Sequence, residues 1–224
     1  MDKIGENILV ESSNPIIEMR YILVDTNCFL RLYQSPVLPF LGRTVGNYYL
    51  VTLPCLINEF LNGKKLLKKY AWLESTVRAE DLSSIALSLS KESQADVDVL
   101  VDSHFDYVNS VLAVHCDERK IIERQISAED CQLLATGIFL NAIIATDEWP
   151  MGHVVADLLS VPEDNYQIEI FTSIHILHLF EKSNLISSKE RKATIKSWLQ
   201  NDEKLKKDWR DLYWELFKES APTL

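Results

Sequence analysis

No stretch of this sequence stays apolar for long enough to cross a bilayer. The first twenty residues also lack the basic start and apolar core of a secretion signal. The expectation is a cytoplasmic protein with no membrane partner. The four cysteines, Cys28, Cys55, Cys116 and Cys131, form no CxxC and no finger-like spacing. Each stands beside apolar residues, so buried free thiols are expected rather than disulfides. His175 and His178 are a turn apart within the apolar stretch Ile174–Leu179, but no third ligand lies near them in sequence, and structural zinc takes about four. There is no internal repeat and no low-complexity linker. Ordinary hydrophobic and charged fractions, 47% and 25%, exclude disordered and fibrous classes. A chain of 224 residues can bury one substantial α/β core with additions.

A basic excess is lacking too. The net charge of −10 argues against a broad nucleic-acid footprint, which is usually positive. Two local exceptions stand out. Lys64, Lys65, Lys68 and Lys69 cluster, and residues 187–219 hold nine basic and seven acidic side chains, +2 against −12 for the rest. Both suit phosphate contacts, and both suit solvated helix faces.

What is present is an alternation of strand and helix signals. Tyr21–Val24 is a short apolar run of strand formers ending at Asp25, as in a buried parallel strand. Asp25, Thr26 and Asn27 supply turn and cap chemistry for a helix through Tyr33. Tyr48–Val51 resembles a second strand, and Pro54 fits the first turn of a helix that stops at Gly63. Another helix is expected from Lys64 to about Ala79, with Leu66, Leu67, Tyr70 and Leu73 inward. Val97, Leu100, Val101, Val108, Val111 and Leu112 recur at helical spacing from Ser93 to His115. Ser127 caps a helix carrying Asp130, Leu133, Leu134 and Ile138, which leads into the strand Ala142–Ala145. Ile168–Phe171 is a further strand, followed by a helix over Ser173–Lys182. The chain ends in a long amphipathic helix, with Leu205, Trp209, Leu212 and Leu216 on one stripe. Such alternation implies crossover connections and an α/β fold on a parallel sheet.

Four carboxylates share a structural context. Asp25 and Asp147 each follow a strand, where ligands of open parallel sheets bind. Asp130 opens the helix leading into the second of those strands, and Glu59 lies on the helix after Tyr48–Val51. Each alone reads as a cap or a surface acid. Converging, they repel one another and raise each other's proton affinity unless a cation intervenes. Oxygen donors of this kind suit Mg2+ or Mn2+, which can activate water and neutralise a leaving oxygen. Phosphodiester hydrolysis uses both effects.

At these residues a family resemblance becomes specific. Tyr21-Ile22-Leu23-Val24-Asp25-Thr26-Asn27 resembles the opening motif of PIN domains (PilT N-terminus, VapC-like). Thr52-Leu53-Pro54-Cys55-Leu56-Ile57-Asn58-Glu59 is similar to their second motif. Glu129-Asp130-Cys131-Gln132-Leu133-Leu134-Ala135 resembles the third, and Ile143-Ile144-Ala145-Thr146-Asp147-Glu148 the fourth. The resemblance implies a three-layer fold with a parallel sheet of order 3-2-1-4-5. It also implies a Mg2+- or Mn2+-dependent nuclease, most often an endoribonuclease and in many members a toxin held by an antitoxin protein. Asp25, Glu59, Asp130 and Asp147 become the metal-binding acids, with Glu148 replacing or assisting Asp147. Thr26, Asn27 and Thr146 become supporting turn residues.

The implied organisation is an extension over 1–20, a PIN-like domain over 21–185 with a helical insertion near 64–115, and a helical extension over 186–224. The added helices depart from the minimal pattern, as does Trp149-Pro150-Met151-Gly152-His153, which replaces a basic or small polar loop. Two other functions stay open: a non-catalytic adaptor and a DNA-directed nuclease. Trp198, Trp209 and Trp214 interleave with Lys196, Lys204, Lys206, Lys207 and Arg210, which suits base stacking. Core spacing favours packing instead. A homodimer through the added helices is a further expectation.

Overall fold

A computed structural model describes residues 19–33, 41–71, 85–161 and 166–224. The expectations for residues 1–18 and for a helix beyond Ala71 lie outside them. The first strand, β1 (Arg20–Val24), is buried over its last three residues and runs into helix α1 (Thr26–Tyr33). Next comes a hairpin, β2 (Arg43–Val45) and β3 (Tyr48–Val51), turned by Gly46-Asn47 with Gly46 at φ +61°. A two-residue turn with Gly at positive φ matches the twist of paired strands. Helices α2 (Pro54–Asn62) and α3 (Lys64–Lys69) follow, then the 29-residue α4 (Lys91–Arg119). The rest is α5 (Ala128–Leu140), β4 (Ile143–Ala145), α6 (Trp149–Leu159), β5 (Glu169–Phe171), α7 (Ser173–Lys182), α8 (Ser188–Gln200) and α9 (Trp209–Phe217).

The sheet order is β2-β3-β1-β4-β5. β3, β1, β4 and β5 are parallel, while β2 pairs antiparallel with β3. The class is α/β, as expected, but the sheet is mixed rather than wholly parallel. The difference lies at one edge, where Arg43–Val45, not recognised as a strand from the sequence, folds back through the Gly46 turn. The connection after β1 leads to β3 on one side, and the chain later returns to β4 on the other. The strand order therefore reverses at β1, with a crevice beyond the carboxyl ends of β1 and β4.

Side chains alternate across a strand, so each buried run feeds two cores. Ile22, Val24, Ile143 and Ala145 join one core, shared with Phe29, Phe60, Leu177, Phe180 and Trp198. Leu23 and Ile144 point to the other, with Leu112, Leu134, Val154 and Leu158. Helices thus cover both faces, giving three layers. Residues 186–224, expected as an extension, contribute Ile195, Trp198, Trp209 and Tyr213 to the first core. Their long final helix is instead two. Asp202 at φ +54° ends α8, with Glu203 N–H bonding the Trp198 carbonyl at 2.9 Å. Leu205 lies in the link, outside both helices.

Trp198 and Trp209 are buried and Trp214 is exposed, which favours packing for the first two. Among the described residues, no helix is long and apolar enough to cross a membrane. The cysteines are free, and Cys28, Cys116 and Cys131 are buried.

Candidate active site

The β1–β4 register sets Val24 opposite Ala145, so the residues that follow, Asp25 and Thr146, emerge side by side. Asp25 N–H continues the ladder to the Ala145 carbonyl at 3.0 Å. The Thr146 hydroxyl donates to Asp25 Oδ2 at 2.8 Å and accepts the Glu148 N–H at 3.1 Å. One side chain therefore fixes both the Asp25 carboxyl and the turn that carries Glu148.

Each other acid also has a neutral holder. Thr26 donates its hydroxyl to Glu59 Oε2 at 2.6 Å, and Asn27 donates its amide to Glu148 Oε1. Asp130 shares a capping box with Ser127: Asp130 N–H donates to Ser127 Oγ at 3.0 Å, and Ser127 N–H reaches back to the Asp130 carboxyl. The helix-start role expected of Asp130 is thus filled, and its charge still bears on the site.

Electrostatics couple these four acids. Burial pushes Asp25 up to about 8, aided by the charges of Asp130, Glu148 and Glu59 and opposed by the Thr146 hydrogen bond. Glu148 is raised by loss of solvent, then by Asp130 and Glu59, with Arg124 and Arg31 acting the other way. Although Glu148 is an exposed residue, its carboxyl turns inward to Asn27, which accounts for that loss. Glu59 and Asp130 are raised chiefly by burial. Glu129, not selected from the sequence, adds its charge to both. Its place beside Asp130 in the first turn of α5 was the available signal.

Asp147 stands apart. Its carboxylate is buried on the other side of the turn, paired with Arg31, and accepts from Ser173 N–H at 3.1 Å and the Ser173 hydroxyl. Arg31 extends the network through its 3.1 Å bond to the Lys204 carbonyl and a 3.8 Å ion pair with Glu203. Glu203 also accepts Lys69 at 2.9 Å and the Tyr70 hydroxyl. Of two adjacent acids expected to share one role, the structure gives Glu148 to the crevice and Asp147 to the interior.

As the side chains stand, among the described residues no three of His, Cys, Asp and Glu converge closely enough to hold a metal ion. The donor chemistry does fit one. Four carboxyl groups with raised proton affinity are each other's electrostatic burden, and an oxygen-seeking divalent cation relieves that burden. No protein-family model matches the chain, no curated protein matches it, and no solved structure does.

Helix α6 was missed from the sequence. Pro150 in its first turn and the inward spacing of Met151, Val154, Val155 and Leu158 were its signals.

Proposed function

We propose that this chain is a divalent-cation-dependent nuclease of the PIN-domain type, with RNA as the favoured substrate. The observation that supports this reading is the mutual charge repulsion of Asp25, Glu59, Asp130 and Glu148 around the turns that follow β1 and β4, with Asp25 pushed up to about 8. A purely structural crevice has no use for four acids that burden one another. These four would hold Mg2+ or Mn2+, which when bound lowers the pKa of water and offsets charge on the leaving oxygen. Thr146, Thr26, Asn27 and Ser127 each hold one of the four carboxyl groups, which would draw closer together to share a cation.

The test is cleavage of single-stranded and structured RNA, with DNA in parallel, under Mg2+ and under Mn2+. Asp25→Asn and Glu148→Gln should each abolish cleavage while the fold persists. Intact nucleic acid under both metals, with no cation-induced rise in Tm, would end the nuclease reading.

A second reading, a non-catalytic adaptor, draws on the same hydrogen bonds. Every acid in the crevice already has a neutral partner, as a site held without a cation requires. Calorimetry of Mn2+ binding separates the two, because an adaptor of this kind takes up no cation at the acids.

A further inference from the structure

Between α4 and α6 lies an open cleft of about 350 Å³ lined by Ser110, Val111, Val114, His115, Glu118, His153 and Asp157. Trp149, one residue beyond Glu148, adjoins it through His115. Trp149 opens α6 with 37% of its surface exposed, and its ring lies 5.5 Å from that of His115. The His115 ring in turn lies 3.8 Å from His153, and both pairs are tilted by 39°. Trp149 and His153 are four residues apart, hence on one face of α6 and separated by about 6 Å of rise. The core of α6 is made by Met151, Val154, Val155 and Leu158, and this aromatic face meets α4 outside that core.

Cations lie nearby in the chain. Arg119 is exposed four residues after His115 on α4, hence on the same helix face, and Arg124 is exposed in the segment that follows. Glu118 and Asp157 in the cleft lining would repel a phosphate, but a carboxylate accepts hydrogen bonds from base amino groups, as Asp157 accepts the Tyr107 hydroxyl at 2.6 Å. Aromatic rings, exposed guanidinium groups and carboxylate acceptors on one pair of helices and the segment after them suit a base with its backbone outside. In a duplex those base faces are already covered.

We propose that Trp149, His115 and His153 form a stacking platform for unpaired bases, with Arg119 and Arg124 taking the adjoining phosphates, so that the strand offered to the acids is single-stranded. The consequence for cleavage rests on the nuclease reading above; base binding itself does not.

The experiment uses the full chain in EDTA, where no cutting occurs. Fluorescence anisotropy reads binding of a labelled mixed-sequence 12-nucleotide single strand, the same strand made abasic, and its duplex. Base stacking on one aromatic is worth roughly 5- to 150-fold in affinity. The intact strand should therefore bind about tenfold more tightly than either the abasic strand or the duplex. Trp149→Ala should remove most of that advantage without changing abasic binding, Trp149→Phe should keep most of it, and His153→Ala should weaken the intact strand in the same direction. Melting curves identify any variant that has lost its fold, and Trp149→Phe keeps the comparison alive if Trp149→Ala has.

Equal affinity for intact and abasic strands overturns the platform. So does a folded Trp149→Ala that binds the intact strand as the unaltered chain does. Base-dependent binding without Mn2+-dependent cleavage would leave the platform standing and remove the nuclease. Cleavage of single strands with kcat/KM unchanged by Trp149→Ala would do the reverse. Failure to bind any strand in EDTA overturns the platform and leaves the nuclease reading to the cleavage assay above.

Discussion

Arg31 and Asp147 form an ion pair in which both side chains are only 3% exposed, and this pair decides which of two neighbouring acids faces the crevice. With Asp147 held inward by Arg31 and Ser173, the turn after β4 presents Glu148 to Asn27 and the other acids. Removing one member of a buried pair costs about 3 kcal/mol, here offset in part because Arg31 keeps its 3.8 Å ion pair with Glu203. Asp147→Asn should lower stability by that order in urea unfolding. Glu148→Gln, at the rim and still able to accept from Asn27, should change it by less than about 1 kcal/mol. Equal losses from the two substitutions would refute this division of roles.

Asp25 gives a pH dependence of unusual sign. Its folded-state pKa of about 8 lies above the ordinary 3.8. Between those values the folded chain keeps a proton that the unfolded chain has released. The contribution of Asp25 to stability is therefore intact below pH 4 and is lost as pH rises toward 8, by up to about 1.4 kcal/mol per unit. Asp25→Asn does not titrate and keeps an acceptor for Thr146. Without divalent cations its stability relative to the unaltered chain should climb from pH 4 to pH 8. Denaturant melts across that range in EDTA measure the difference, and a constant or falling difference contradicts the assignment. Added Mn2+ should stabilise the unaltered chain and leave the variant nearly unaffected.

Gly137 sets how closely α5 lies on β4. A Cβ there would stand 2.9 Å from Ile144 Cδ1 and 3.1 Å from Ile168 Cδ1. Alanine suits a helix interior better than glycine by about 1 kcal/mol, yet overpacking a dense core costs about 1–3 kcal/mol. Gly137→Ala should therefore be neutral or destabilising rather than stabilising. Adding Ile144→Val, which deletes the methyl in closest contact, should recover stability relative to Gly137→Ala alone. Thermal melts of the two variants decide it; a double variant weaker than the single one would show that Ile144 is not the obstacle.

The parts legible in the sequence were those encoded locally. The strand Arg20–Val24 showed as a bounded apolar run, and the start of α5 showed as Ser127 three residues before Asp130. The positions of Asp25 and Asp130 followed from their places at the ends of such elements, and that of Glu59 from the helix after Tyr48–Val51. Edge strand β2 and helix α6 also carry local marks, in Gly46-Asn47 and Pro150, weaker than those of the neighbouring elements.

Other features belong to no local stretch. Adjacent residues of an extended turn point to opposite sides, so Asp147 and Glu148 carry the same chemistry until a partner fixes the turn. That partner is Arg31, more than a hundred positions away, itself anchored through Glu203 and the Lys204 carbonyl of the C-terminal region. The row of Trp149, His115 and His153 likewise exists only because α4 packs against α6. The sequence by itself determined the elements and the acids they carry. Tertiary structure alone decided which acids share a crevice, because that choice depends on which distant charge is buried beside them.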